Sequence, residues 1–371
     1  MAPKLRTSSN TFHLSLMVAI VVANVVFADD NVPIPGDKSQ LDKWYNENVQ
    51  PLAQRMDTLD PATIAAEGAA TVIKVMQDGS GQFKTINEAL KSIPKGSTKR
   101  VIVYIGPGTY NEKIRIEREK PFITLYGAPG NMPNLTYGGN ALKYGTVDSA
   151  TLIVESDYFV AANMIISNSS PRPDGKMVGA QAVALRVSGD KATFYKVTLL
   201  GFQNTLLDDA DWHIYKDCLI QGTLDFIFGN GKTLFLNTEL RVLGDSGMSV
   251  ITAHGRDKNT DDTGFSFVLC DITGTGTGTL LGRAWMSKSK VVYAYCNIGS
   301  VVNDAAWSNN NHPEYDKDLY FGEYKNKGPG ADPAGRYKHT KQLTDVEAKP
   351  FITLDFIQGS KWLLPPPNPK V

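Results

Sequence analysis

The sequence has little cysteine, no net charge and, beyond its N-terminal leader, no long apolar run. Lysine plus arginine and aspartate plus glutamate both number 38, so the net charge is zero. Such a chain has no global field to attract nucleic acid or an anionic membrane, and neither is expected as a partner. The three cysteines, Cys218, Cys270 and Cys296, have spacings that match no zinc pattern, and no metal or other cofactor is expected.

The first 28 residues have the pattern of a secretory signal peptide. Lys4 and Arg6 supply positive charge, Leu14 to Phe27 is mostly apolar, and a small residue, Ala28, ends a typical cleavage site. The apolar run is short for a membrane span of about 20 residues, so secretion is favoured over a membrane anchor. An oxidising compartment would permit one disulfide and leave one thiol, and three buried free thiols are equally compatible with the sequence.

From Val101 onwards the chain reads as short strands separated by turn residues. The 33 glycines and 20 prolines suit strands and turns better than a helical bundle. Later strands share a pattern in which one position, here called the slot, is expected to point inward. The slots are Met164, Val197, Cys218, Thr238, Cys270 and Cys296. The slots follow each other at intervals of 33, 21, 20, 32 and 26 residues. Repeats of this size indicate stacked coils of a parallel β-helix, and a β-sandwich with strands about every 8–12 residues is the alternative.

The chain divides into three expected parts. Residues 1–28 are the signal peptide, residues 29–68 a helical extension, and residues 69–371 one domain. A capping box at Thr85 predicts a helix over Ile86–Ile93 that covers one open end of the coil. A second capping box begins at Thr344, and the C-terminal segment is expected to lie along the outside. Asn134 and Asn168 begin N-glycosylation sequons, which are usable only where exposed.

Five segments, in matching order and spacing, resemble the pectin methylesterase family and especially its plant members. They are GTYNEKI (Gly108–Ile114), QAVAL (Gln181–Leu185), GFQNTL (Gly201–Leu206), GTLDFIFG (Gly222–Gly229) and LGRAW (Leu281–Trp285). The resemblance implies an all-β fold, a right-handed parallel β-helix, and a secreted protein of the plant cell wall. It also implies hydrolysis of the methyl esters of galacturonate units in pectin, with release of methanol and without a cofactor. Some family members bind small helical inhibitor proteins, which adds a candidate partner.

The resemblance also assigns catalytic roles by position. Asp225, alone in an apolar run, matches the nucleophile that attacks the ester carbonyl. Arg283 matches the guanidinium that holds this carboxylate and keeps it ionised. Gln181 and Gln203 match the amide donors that stabilise the oxyanion of the tetrahedral intermediate.

Three aromatic residues, Phe228, Trp285 and Trp307, resemble those that line the sugar-binding cleft of the family. Their flat apolar rings suit the faces of sugar rings. The residues by themselves also allow Phe228 to be a core residue and the two tryptophans to cover the outer wall.

Asn204 departs from the family pattern. The family has aspartate there, which gives a proton to departing methanol and takes one from the water that opens the acyl-enzyme. An amide has no proton to exchange at neutral pH, and loss of acid–base help typically lowers a rate by about 10²–10⁴. Whether Asp208, Asp209 or Asp211 takes this role is open at this level. Two functions follow, a slowed pectin methylesterase and a catalytically inactive pectin-binding cell-wall protein.

Overall fold

Short parallel strands, stacked coil upon coil, make up most of the molecule. The computed structural model describes residues 30–244 and 248–370, and the predicted signal peptide lies outside the described residues. Each strand pairs in parallel with the equivalent strand of the next coil, as Thr71–Val75 does with Val101–Ile105. The prediction of a parallel β-helix is confirmed, and the sandwich alternative is wrong because its strands would pair antiparallel.

The coil has three faces. Two long strands, Val160–Asn168 and Ala192–Leu200, bend to run through both the first and the second face. The first face also contains Thr71–Val75, Val101–Ile105, Ile123–Gly127, Trp212–Lys216, Lys232–Leu236, Gly264–Val268, Lys290–Ala294, Tyr320–Tyr324 and Thr340–Gln342. The second face also contains Thr109–Asn111, Asn134–Tyr137, Leu219–Gly222, Glu239–Leu243, Asp271–Thr275 and Asn297–Ile298. The third face is a separate sheet of Ile114–Ile116, Leu152–Val154, Leu185–Val187, Leu206–Asp208, Ile227–Gly229, Ser249–His254, Thr279–Ala284 and Trp307–Ser308.

A single residue with positive φ forms the corner between the first and second faces in six successive coils. These residues are Asn163, Lys196, Asp217, Asn237, Leu269 and Tyr295. The left-handed conformation costs an ordinary side chain roughly 1–2 kcal/mol, and Asn and Asp tolerate it best. Its presence at Leu269 (φ 57°) and Tyr295 (φ 56°) means that stacking imposes the corner whatever the residue.

The six predicted slots directly follow these corners and are all buried. Among them, the three cysteines are free thiols. The Sγ atoms of Cys270 and Cys296 each donate to a carbonyl oxygen of the preceding coil at 3.4 Å. Burial raises the pKa of Cys218 to about 12, so this thiol stays protonated and unreactive. The cysteines therefore serve packing, as expected.

A column of aromatic rings fills the interior beside the cysteines. Its rings stack with centroid separations between 4.4 and 4.9 Å, and its members are Phe194, Tyr215, Phe235, Phe267 and Tyr293. Each ring belongs to the first face of one coil, so the same inward position carries an aromatic residue coil after coil. This column fixes how successive coils align, because a shift by one residue would turn the rings outward.

Both chain ends pack on the outside of the first face. The N-terminal helices are Leu41–Asn48 and Pro61–Glu67, and the C-terminal segment begins with the helix Asp345–Ala348. The backbone N–H of Ile34 donates to the carbonyl of Ile352 at 2.7 Å, which ties the two ends together. The expected position of the C-terminal segment is confirmed. None of the helices in residues 30–244 and 248–370 is long and apolar enough to cross a membrane.

Two shorter helices lie near the coil. The predicted helix is Ile86–Ser92, one residue shorter than expected, and it packs against the strands Thr71–Val75 and Ile114–Ile116. Ala141–Tyr144 is a helix that the sequence did not predict, and its N-cap Asn140 accepts from the N–H of Lys143 at 3.2 Å.

The two sequons differ in the structure. Asn168 is 6 % exposed, and its Nδ2 donates at 2.8 Å to the carbonyl oxygens of both Gly139 and Val183. A side chain held in this way serves the fold and does not meet the exposure that glycosylation requires. Asn134 is half-buried, and its Oδ1 accepts from the hydroxyl of Ser167 at 3.1 Å.

Candidate active site

A cavity of about 410 Å³ opens on the third face of the coil. Its floor is a row of three side chains from successive strands, since Phe228 pairs with Ala253 and Ala253 with Arg283. Side chains in one such row point to the same side of a sheet. The complete lining consists of Thr146, Val147, Gln181, Gln203, Asn204, Asp225, Phe228, Ala253, Arg283 and Trp285.

Asp225 and Arg283 form a two-point ion pair in this cavity. Arg283 Nε donates to Asp225 Oδ1 at 2.8 Å, and Arg283 Nη2 donates to Asp225 Oδ2. Asp225 is 4 % exposed and has a φ of 46°, which turns the chain just before the strand Ile227–Gly229. Gly222 allows this turn, because a Cβ there would lie 2.2 Å from the Cβ of Phe226. Steric crowding therefore requires glycine at position 222.

Two opposing effects set the protonation of Asp225. Burial raises the pKa of this carboxyl above its ordinary value, and the hydrogen bonds and charge of Arg283 act in the other direction without outweighing burial. Arg283 therefore favours the carboxylate, as expected, but less than burial opposes it. A buried carboxylate with one guanidinium partner and little water around it is a stronger nucleophile than a solvated one.

Three side-chain amides face the same cavity. Gln181 and Gln203 line the cavity from neighbouring coils. The backbone N–H of Ala182 donates to the carbonyl oxygen of Gln203 at 3.1 Å, which links these two coils. Asn204 is 7 % exposed, has a φ of 65°, and points its Nδ2 at the backbone oxygen of Asp225 at 3.4 Å. The structure thus brings all five predicted catalytic residues into one cavity.

The carboxylates near Asn204 in the sequence do not replace it. Asp208 is fully buried in the interior, and Asp209 pairs with Arg186 at 3.0 Å. Neither of them nor Asp211 lines the cavity, and among residues 30–244 and 248–370 the only ionisable lining side chains are Asp225 and Arg283. In the described part of the chain, no three His, Cys, Asp or Glu side chains are grouped so that they could hold a metal ion.

The three predicted cleft aromatics have different positions. Phe228 is half-buried in the cavity floor. Trp285 is 50 % exposed at the cavity wall, with its ring centroid 5.8 Å from the Cζ of Arg283. Trp307 is 1 % exposed, lies outside the lining, and stacks on Phe321 at 4.5 Å. The predicted sugar contact is therefore wrong for Trp307, which is a core residue.

Some residues at the site were not predicted. Thr146 and Val147 come from the loop after the short helix Ala141–Tyr144, and no sequence pattern indicated that this loop reaches the third face. Ala253 could have been found from strand register, since it lies between Phe228 and Arg283 in the same row. Asn310 accepts a hydrogen bond from Arg283 Nη1 at 3.1 Å and lies outside the five motifs.

Comparisons with known proteins agree with this geometry. The profile of the Pectinesterase family matches residues 72–360. Pectinesterase 2 of Olea europaea is 53 % identical over 352 residues, which cover 95 % of this chain and 96 % of that protein. Putative pectinesterase 63 of Arabidopsis thaliana is 49 % identical over 355 residues, covering 96 % and 97 %.

Solved structures give the same result. The pectin methylesterase from carrot superposes with a TM-score of 0.73 at 31 % identity, over 78 % of this chain and 94 % of that one. A pectin methylesterase in complex with a hexasaccharide has a TM-score of 0.65 at 27 % identity, over 81 % and 99 %. This parallel β-helix thus has matching relatives in sequence and in structure. The chain belongs to the pectinesterase family.

Proposed function

We propose that the protein hydrolyses the methyl esters of galacturonate units in pectin, producing free galacturonate and methanol. The observation that carries the proposal is the two-point pair of Asp225 and Arg283, which faces the same cavity as two glutamine amides. A carboxylate held in place by a guanidinium is suited to act as a nucleophile, and amides beside it suit a developing oxyanion. The family and the relatives of the chain support the same reaction.

In the first half-reaction a carboxylate oxygen of Asp225 attacks the ester carbonyl carbon. The carbonyl oxygen becomes an oxyanion, which the side-chain amides of Gln181 and Gln203 stabilise by donating hydrogen bonds. Neither amide has another side-chain hydrogen bond among the described residues, so both are available to a ligand. The carbon–methoxy bond then breaks, and the methoxy oxygen takes up a proton and leaves as methanol.

In the second half-reaction water attacks the acyl-enzyme, an anhydride of Asp225 and galacturonate. The water gives up both of its protons to solvent, and one of them replaces the proton that methanol took up. Galacturonate leaves as a carboxylate, and Asp225 returns to its ionised form. Asn204 lies where an acid–base group is needed in both halves, but its amide only donates or accepts hydrogen bonds. The protons therefore come from and return to solvent, and we expect turnover about 10²–10⁴ below that with an aspartate at this position.

The cavity wall suits a neutral sugar ester. Trp285 and Phe228 offer apolar rings, and the charges of Asp225 and Arg283 neutralise each other. A solved relative carries a hexasaccharide, which supports an oligosaccharide as the ligand of this cavity. The N-terminal leader pattern supports secretion to the cell wall, and a proteinaceous pectinesterase inhibitor is a candidate partner at the same face.

A second function is favoured by one observation. Among the described residues, the cavity lining contains Asn204 and no ionisable side chain besides Asp225 and Arg283, so none of them is a proton donor for the leaving group. A cavity that keeps its binding residues but loses proton transfer is the expected form of a catalytically inactive pectin-binding cell-wall protein.

Methanol release from pectin separates the two functions. The wild type, Asp225→Ala and Asn204→Asp are compared, with Asn311→Asp as a control that adds a carboxylate at another left-handed asparagine. Activity in the wild type that disappears in Asp225→Ala supports the esterase. Release only by Asn204→Asp, together with pectin binding by the wild type, supports the binding protein. Release by neither the wild type nor Asn204→Asp overturns the esterase proposal.

A further inference from the structure

The Arg283 guanidinium has a third hydrogen bond besides its two to Asp225. Its Nη1 donates to Asn310 Oδ1 at 3.1 Å, and the ring of Trp285 lies over its carbon at 5.8 Å. Asn310 does not line the cavity, so it has no contact with a ligand there. Its side chain therefore acts on the site only through Arg283.

The backbone around Asn310 is a tight turn with a defined shape. The carbonyl of Asn309 accepts from the N–H of His312 at 3.1 Å, and the two central residues, Asn310 and Asn311, have φ values of 56° and 63°. Two positive φ angles are typical of a type I′ turn, in which asparagine is one of the few favoured residues. The run of three asparagines in the sequence thus has a conformational cause.

Two further hydrogen bonds hold the first residues of this turn. The N–H of Asn310 donates to the hydroxyl of Ser308 at 2.9 Å, and Ser308 is the strand partner of Arg283. In addition, Asn309 Nδ2 donates to Asp316 Oδ1 at 2.9 Å. The acceptor oxygen of Asn310 is therefore held by the same sheet that carries Arg283.

We propose that Asn310 is a positioning residue that orients the Arg283 guanidinium against the carboxylate of Asp225. Two hydrogen bonds to a single carboxylate let the pair move together, and a third bond to a rigid turn fixes it relative to the sheet. Small displacements of a catalytic group lower the rate strongly, so a fixed third point is useful to the reaction. The effect on turnover rests on the proposed esterase function, whereas the effect on the carboxylate does not.

The test compares Asn310→Ala with Asn311→Ala, which alters the same turn at its other left-handed residue. The first readout is the titration of the Asp225 carboxyl by carbon NMR, assigned with Asp225→Asn, which needs no enzymatic activity. We expect Asn310→Ala to move this titration to higher pH, because a less constrained Arg283 stabilises the carboxylate less. Asn311→Ala should titrate like the wild type. Among the described residues that line the cavity, Arg283 is the only charged group facing this carboxyl, so we attribute the shift to it.

The second readout is kcat and KM for methanol release, measured in the Asn204→Asp background if the wild type is inactive. We expect Asn310→Ala to lower kcat about tenfold with little change in KM, which is the size of one hydrogen bond to a charged group. Asn310→Asp, which retains an acceptor and tolerates the left-handed conformation, should recover most of kcat. The proposal is overturned if Asn310→Ala and Asn311→Ala have the same titration and the same kcat. A shifted titration without any activity would contradict only the proposed function.

Discussion

Two arginine–carboxylate pairs in this molecule have nearly the same geometry and different surroundings. In the first, Arg283 donates twice to Asp225 at the cavity. In the second, Arg336 donates to Glu323 from Nε at 2.7 Å and from Nη2 at 3.3 Å. Both are the two-point arrangement that makes such pairs strong and specific.

The difference lies in what else the carboxylates contact. Glu323 is 2 % exposed and also accepts from the indole N–H of Trp307 at 3.0 Å, while Arg336 donates to two backbone carbonyl oxygens. Asp225 faces a cavity, and among the described residues only Arg283 donates hydrogen bonds to the carboxylate oxygens of Asp225. A carboxylate whose bonding capacity is filled serves the structure, whereas one left partly unfilled is available to a substrate.

Asp225→Asn should have the largest effect and only on activity. We expect methanol release to fall at least about a thousandfold, since an amide is not a nucleophile. The free energy of unfolding should change by less than about 1 kcal/mol, because Asn keeps an acceptor for Arg283, and the Arg283 side chain, 16 % exposed, still reaches solvent. Activity assays and urea denaturation of the same preparation measure both. Retained activity would show that Asp225 is not the nucleophile.

Glu323→Ala should have the opposite profile. Removing one partner of a buried pair leaves Arg336 without its counter-charge, and we expect the free energy of unfolding to fall by about 3–5 kcal/mol. The folded fraction should keep its rate of methanol release. Glu47→Ala, which breaks the exposed pair of Lys43 and Glu47, is the control and should change stability very little. If Glu323→Ala and Glu47→Ala were equally stable, the pair of Arg336 and Glu323 would not have the structural role that the comparison gives it.

The tryptophans beside the two pairs provide a smaller test. Trp285→Ala removes an exposed ring from the cavity wall, and we expect KM for pectin to rise several-fold, on the order of 1 kcal/mol, without loss of stability. Trp307→Phe removes the N–H donor to Glu323 and should lower the free energy of unfolding by about 1–3 kcal/mol with KM unchanged. A change of KM in Trp307→Phe would show that this residue takes part in pectin binding.

A third buried pair, His213 and Asp208, should respond to pH. His213 Nδ1 lies 3.1 Å from Asp208 Oδ2, and both side chains are fully buried. Burial acts to lower the pKa of His213, but the charge and hydrogen bond of Asp208, the carbonyl of Gly189 and the charge of Asp211 together outweigh it, so the pKa is raised. A raised histidine pKa stabilises the fold fully below about pH 6.5, the unfolded value, and this contribution is lost as pH rises through the folded pKa.

The measurement is the melting temperature between pH 5 and pH 9 for the wild type, His213→Gln and His312→Gln, in which the exposed His312 is the control. We expect the wild type and His312→Gln to lose stability towards alkaline pH, and His213→Gln to depend on pH less. An identical slope in all three proteins would mean that the pKa of His213 is the same in the folded and unfolded states, which would contradict the raised pKa.

Much of the fold could be predicted from local patterns. The inward slots and the turn residues between strands recur once per coil, and a stacked coil repeats the same local requirement each time. Four of the five motifs could likewise be expected to meet, because each lies at a matching point of its own coil, whereas GTYNEKI contributes no residue to the cavity lining. The intervals between slots did not indicate the segment that carries Thr146 and Val147. An insertion that extends outward from the coil does not change the register in which the strands pair.

The wrong prediction at Trp307 and the question left open at Asn168 both concern side chains whose surroundings come from other parts of the chain. Trp307 resembled a sugar-contacting residue, but Phe321 and Glu323, one coil later, enclose it. Asn168 carries a complete sequon, but the carbonyl oxygens of Gly139, in the preceding coil, and of Val183, 15 residues further on, hold its amide. In both cases the local sequence does not indicate whether the residue is exposed or buried.

The sequence by itself determined the parallel coil, the inward slot positions, and the set of polar residues that distinguishes this chain, including Asn204. Those properties depend on alternation and repetition, which are local. Only the tertiary structure decided which of two similar arginine–carboxylate pairs opens to a cavity, and that neither Asp208 nor Asp209 reaches it. The reason is that exposure and hydrogen-bond satisfaction are set by residues one or more coils away, which no local pattern contains.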